Sequence, residues 1–220
     1  MERRFREAGK TERKAKATRE PKAKVVIVSE GKRTEPEYFK RFANLNRNGL
    51  VKVETVGLGA VPLSVVIRAI EEYDKLKRFA RKQGDSFANA FEVWAVFDRD
   101  EHVEFDMPIQ KAEAHQIKVA YSNPCFEIWG LMHYRLVDGP IHRHSAQREL
   151  HAEHSSYHHG DNPVLDADSL QGKPYEAALN NAERALISRK EEGDERGNHS
   201  TTVHLLTEKI RKHGRKTVNK

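Results

Sequence analysis

A chain of 220 residues with 37% hydrophobic and 33% charged side chains can build one sizeable core, provided its apolar residues are concentrated in a few segments. A single cysteine, Cys125, excludes an intramolecular disulfide and a cysteine-rich zinc module, and fits a reducing cytoplasm. The formal net charge of +6 resides in residues 1–24, which hold ten Lys/Arg against four Asp/Glu, while the remaining residues carry 29 of each sign.

In chain order, residues 1–24 form a basic arm with one aromatic and almost no large aliphatic side chains. Such a segment cannot bury enough surface to offset its ordering entropy, so disorder in isolation is expected. A flexible basic arm either tethers a polyanion through phosphate contacts or acts as a solubilising tail. No apolar stretch approaches the roughly 18 residues that span a bilayer, and no apolar signal segment follows the basic N-terminus, so a cytoplasmic protein without a membrane partner is expected.

Residues 25–29 (VVIVS) read as a strand, and Thr34 with Glu37 has capping-box spacing for a helix from about 34 to 46. Residues 50–56 alternate as a second strand, Gly57 and Gly59 break the chain, and a long helix starts near Pro62 with its apolar stripe at Val65, Val66, Ala69, Ile70, Tyr73 and Leu76. A third strand over 91–97, a helix over 109–116, a fourth strand over 117–121 and a helix over 125–134 follow. Strands separated by helical patterns imply βαβ crossovers and a mostly parallel sheet of about four strands flanked by helices, a Rossmann-like α/β core over 25–136. Residues 137–220 comprise a histidine-rich segment and two helices, over 175–191 and 202–212, read as a helical C-terminal part packing on that core.

Two apolar runs, VVIVSEG and VWAVFDRD, end abruptly in carboxylates. In open α/β sheets the carboxyl ends of the strands form the ligand crevice, so Glu30, Asp98 and Asp100 make a candidate hard-cation site for phosphate chemistry. Asp98 and Asp100, two residues apart, point to the same side in extended backbone. If the two strands are neighbours, crowded carboxylates raise at least one pKa unless a cation such as Mg²⁺ neutralises them.

Lys32 and Arg33 open the first helix and could contact a phosphate there, although the spacing of a P-loop is absent. Glu127, in the first turn of a helix after the fourth strand, is an additional acidic candidate that equally suits the helix dipole. His133 reads as a core histidine, and Cys125 lacks a local general base. His142, His144, His151, His154, His158 and His159 crowd one stretch. The His151/His154 pair has i, i+3 spacing for zinc on a helix, but no recognised ligand pattern accompanies it, and the stretch reads as a solvated polar loop.

The segments KVVIVSEGKRTEPEYFKRF, VWAVFDRDEH, YSNPCFEIWGLMHY and HSTTVHLLTEKI, in this order over about 24–212, resemble the RloB family, found near restriction and abortive-infection loci. That family is similar to the Toprim group, whose α/β domain is shared by topoisomerases, primases and nucleases. The resemblance implies a Toprim-like fold and a Mg²⁺ site at Glu30, Asp98 and Asp100 (with Mn²⁺ as a substitute). It also implies phosphoryl transfer on RNA or DNA in phage defence, and an AAA-type ATPase partner (RloA-like). Nucleotidyl transfer would use the same carboxylates, and a non-catalytic adaptor that binds nucleic acid or the ATPase is the alternative from a different class.

Overall fold

The computed structural model describes residues 24–55, 61–84, 90–100, 102 and 104–214. The basic arm lies outside the described residues except for Lys24, as do Gly57 and Gly59. Four strands, β1 (Lys24–Ser29), β2 (Val51–Thr55), β3 (Phe91–Asp98) and β4 (Lys118–Asn123), run parallel, as expected from their spacing. A fifth, β5 (Ser200–Thr201), pairs antiparallel with Ser122 and Asn123 and completes the order β2-β1-β3-β4-β5. Two residues offer no periodicity to read, which is why β5 was not foreseen.

The central strands are apolar on both faces because both faces are covered. On one face Val25, Ile27, Trp94, Val96 and Ala120 join a core with α1 (Thr34–Leu45), α4 (Glu127–Met132), α5 (Arg143–Glu153), α6 (Lys173–Glu191) and α7 (Val203–His213). On the other, Val26, Val28, Val93, Ala95 and Phe97 meet α2 (Pro62–Gln83) and α3 (Asp106–Ala114). The alternation along β1 and β3 thus divides the helices between two layers. The result is an α/β fold with a five-stranded, mostly parallel sheet, Rossmann-like and Toprim-like in kind.

Three local expectations need correction. The Thr34/Glu37 capping box does not form: Arg33 is the N-cap, Thr34 is already helical, and no side chain caps from the N-cap position. The carboxylate of Glu35 takes that role instead, accepting from its own backbone amide and that of Gly31. The helix after β4 starts at Glu127, not Cys125, its first turn closed by the bonds Ile128 N–H to Cys125 O and Trp129 N–H to Phe126 O, both 3.0 Å. The histidine-rich stretch is not a loop throughout, because Ala146, Gln147 and Leu150 bury one face of α5 and make it a helix.

Candidate functional site

Parallel neighbours deliver their ends to one rim. Ser29 of β1 lies beside Val96 of β3, and the Glu30 N–H donates to Val96 O at 3.0 Å. One of its carboxylate oxygens, Oε2, accepts the backbone N–H of Asp98 at 3.4 Å, and both residues line one cavity. Asp100 reaches them by a turn rather than by strand pleat. It has φ +44°, and its N–H donates to Pro124 O at 2.9 Å in the loop after β4. The extended geometry expected for the Asp98/Asp100 pair is therefore not the one adopted; the chain has left β3 before Asp100.

A cavity of about 380 Å³ opens at this rim, lined by Glu30, Glu35, Asp98, Asp100 and Glu127 together with Lys32, Arg33, Arg143 and His159. All the residues expected at the site line it. A larger cavity, about 840 Å³, lies near the starts of β3 and β4, lined among others by Glu92, Trp94 and Lys118, and does not include this carboxylate group. Arg33 Nε is 3.7 Å from Glu37 Oε1 in a solvent-exposed pair. Arg143 Nη1 donates to Asp100 Oδ2 at 2.6 Å, while Asp100 Oδ1 is buried with no hydrogen-bond partner.

Burial dominates the electrostatics. It raises Glu30 to about 7, against the hydrogen bond from the Asp98 amide and with repulsion from Glu35 and Asp100. Glu35 is likewise raised to about 7 by burial, with Glu127 repelling it and its two amide bonds opposing the shift. Asp98 is pushed well above the carboxylate range by burial and then by Glu35, Glu127, Asp100 and Glu30. Asp100 is raised by burial despite Arg143. Glu127 is the exception: burial pushes it up, but hydrogen bonds from His159, Tyr157 and Cys125 outweigh that and hold it below its usual range.

Among the described residues, no group of three or more His, Cys, Asp or Glu side chains forms a ready-made metal cluster. The donors at the rim nonetheless suit a hard divalent ion, being oxygen throughout, desolvated, short of counter-charge, and including the unpartnered Asp100 Oδ1. Mg²⁺ commonly takes one or two carboxylates and retains several waters, so it does not require a full protein cage.

Four participants were missed in the sequence: Glu35, Arg143, Tyr157 and His159. Glu35 left one signal, since a Cβ at Gly31 would sit 2.1 Å from its Oε2, so a glycine four residues earlier gives the folded-back carboxylate its space. Arg143, Tyr157 and His159 come from the stretch read as a polar loop and left no local signal. The other histidines are engaged elsewhere: His151 Nδ1 with Tyr157 O at 2.5 Å, and His154 Nδ1 with Tyr134 OH at 2.5 Å. His133 is buried in the core, its Nδ1 2.8 Å from Trp129 O, and burial lowers it to about 4. Cys125 is buried and its thiol is pushed up, mainly by burial.

A model of the RloB-like protein family matches residues 25–210, and the chain belongs to that family. No curated protein and no solved structure matches it. Among the described residues no helix is long and apolar enough to cross a membrane.

Proposed function

We propose that this RloB-like chain is a Mg²⁺-dependent endonuclease that cleaves RNA or DNA phosphodiesters in phage defence, acting in the cytoplasm beside an AAA-type ATPase. One observation carries the reading: Glu30, Asp98 and Asp100 meet at the ends of neighbouring strands in a desolvated cavity whose carboxylates outnumber their cationic partners. Glu30, Asp98 and Asp100 would hold Mg²⁺ (or Mn²⁺), which supplies Lewis-acid charge for phosphoryl transfer. Where Asp98 and Asp100 alone hold the ion, Glu30, which accepts the Asp98 amide beside them, would serve as base toward the attacking water. Lys32, Arg33 and the start of α1 offer positive charge to the phosphate. Nuclease and phage-defence roles draw on family resemblance as well, which gives associational support.

The test is to incubate the purified chain, with and without its ATPase, with tRNA, single-stranded DNA and duplex DNA in Mg²⁺ or EDTA. Cleavage of one substrate in Mg²⁺ and its loss in EDTA is the expected result. Binding without cleavage under every condition would replace the nuclease with an adaptor.

A further inference from the structure

The outer edge of β4 is only partly covered. β5 pairs with Ser122 and Asn123, and Thr202 extends the cover to Tyr121: its N–H donates to Tyr121 O at 2.9 Å, and its Oγ1 accepts the Tyr121 N–H at 3.0 Å. Alternate residues of a strand turn their N–H and C=O to the same side, so Val119, two residues before Tyr121, faces this edge as well. From Val203 the chain turns into α7, and no strand among the described residues lies beside Lys118, Val119 or Ala120 on that side. Val119 O meets the Thr202 hydroxyl only at 3.5 Å. An open edge of this kind is a template for another extended chain.

Two cavities flank the open stretch, one in each helical layer. The cavity of about 840 Å³ lies on the α1 and α7 side. Another, of about 660 Å³, lies on the α2 and α3 side, lined by Tyr73, Phe91, Ile109 and Ile117 among others. Both reach Glu92, Lys118 and Val119, so they meet at the edge of β4. Successive side chains of an extended chain point to opposite faces. A segment laid beside Val119 would send alternate side chains into the two cavities, the arrangement by which an added strand is recognised.

Charge selects the occupant. Arg47, Lys118, Lys209, Arg211 and Lys212 line the α7-side cavity against two carboxylates, and both of those are already paired, Glu92 with Lys209 at 2.5 Å and Glu208 with Arg211 at 3.0 Å. Arg47, Lys118 and Lys212 have no ion pair among the described residues. The α3-side cavity is balanced, with Lys118 and Arg196 against Glu92 and Glu113, and is otherwise mainly apolar. The two ends of this chain do not complement the surplus: residues 1–23 hold nine Lys/Arg against four Asp/Glu, and 215–220 hold three against none. A polynucleotide would answer the cations, but it has neither an amide backbone for Val119 nor apolar side chains for the second cavity.

We propose that the open edge of β4 docks a partner protein, which adds an extended segment of alternating acidic and apolar residues beside Val119. Its acidic side chains enter the α7-side cavity and its apolar ones the α3-side cavity. The surface lies at the opposite end of the strands from the carboxylate rim and does not depend on the nuclease reading.

The probe is a capped hexapeptide of alternating leucine and glutamate, titrated into the full chain by calorimetry and NMR. It should bind and slow hydrogen exchange of the Val119 amide. The same peptide N-methylated at every residue, which cannot pair with a strand, and a leucine-lysine counterpart should each bind at least about tenfold more weakly. The double variant Lys118→Glu/Lys212→Glu should reverse the preference, losing at least about tenfold for the glutamate peptide while gaining for the lysine one. Such a gain cannot come from misfolding. No binding of the glutamate peptide at millimolar concentration, equal binding of its N-methylated form, or an unchanged Val119 amide would overturn the proposal. Binding of a single-stranded oligonucleotide that the double variant abolishes, with no peptide bound, would make the surface a nucleic-acid interface instead.

Discussion

Two buried glutamates on opposite layers of the sheet are kept in opposite company. Glu72 of α2, 5% exposed, is surrounded by Lys75 at 2.6 Å, Arg68 at 3.0 Å and Lys52 at 3.6 Å. Glu35 of α1, 6% exposed, has no ion-pair partner among the described residues, and Glu127 repels it. A carboxylate buried for stability comes with its counter-ions attached to neighbouring helices and strands. The strand-end carboxylates are short of theirs, and that shortage leaves work for a cation from solution.

The largest expected effect breaks the comparison at Asp98. Asp98→Asn replaces a buried carboxyl whose ionised form burial and four other carboxylates disfavour, so cleavage should fall by about 10³-fold or more while the melting temperature without metal holds or rises. Glu72, whose charge is compensated, offers no such trade of activity against stability. Activity close to wild type, or a variant that fails to fold, would show that the Asp98 carboxylate is not held for a cation.

The next effect is in pH. Glu30 and Glu35 have folded pKa values raised from 4.5 to about 7, so between those values the folded state binds more protons than the unfolded one. Their contribution is fully present below the unfolded value and is lost as pH rises through about 7. For the buried Glu35 this is on the order of 3 kcal/mol, and less for the partly solvated Glu30. Glu54, in the cation-rich region, has the opposite sign. A hydrogen bond from Lys52 outweighs its burial and, with Arg68, holds its pKa low, so its contribution is lost as pH falls through that depressed value. Thermal melts in EDTA should therefore decline from pH 5 toward 8, less steeply in Glu35→Gln. Mg²⁺ at about 100 times its Kd should restore about 2.7 kcal/mol at the high end. A flat profile that Glu35→Gln does not alter would place these carboxylates in ordinary solvated surroundings.

How much of this was legible in the sequence follows from what each feature needs. The four parallel strands were readable because burial on both faces writes continuous apolar runs such as VVIV and VWAVF. The placement of Glu30, Asp98 and Asp100 on one rim followed from those runs ending in acid, once β1 and β3 proved to be neighbours. The absence of counter-ions at Glu35 was not legible, since it depends on which helices face it. Neither was the Glu127–Tyr157–His159 group, in which Glu127 stands 30 and 32 positions from its two partners and those partners sit in a histidine-rich composition that suggested solvent. Turn geometry was lost as well, for the positive φ at Asp100 leaves no trace in a D-x-D spacing.

A smaller effect tests the compensated side. Glu72→Gln leaves Lys52, Arg68 and Lys75 without their shared carboxylate, but all three are at least a third exposed and can return to water. A loss of about 1 kcal/mol is expected, with cleavage unchanged. A loss several times larger in denaturant unfolding would mean that the cations are as desolvated as the glutamate, and the contrast with Glu35 would then be one of degree.

The smallest expected change in stability comes from Gly31→Ala, which probes the other glutamate. Gly31 is not in the left-handed region, so alanine brings no backbone strain; glycine is there for space. The added Cβ would lie 2.1 Å from Glu35 Oε2 and 2.6 Å from Oε1, the far end of a flexible side chain that can rotate away. Glu35 would then exchange two amide bonds for water, a loss of under about 1 kcal/mol because relief of its buried charge offsets much of the cost. Once solvated, its pKa should return toward the ordinary range, and the decline in stability between pH 5 and 8 should become shallower, as in Glu35→Gln. If Gly31→Ala keeps the full wild-type slope, the folded-back carboxylate is not what makes the strand-end cavity sensitive to pH, and the contrast with Glu72 would have to rest on Glu30 and Asp98 alone.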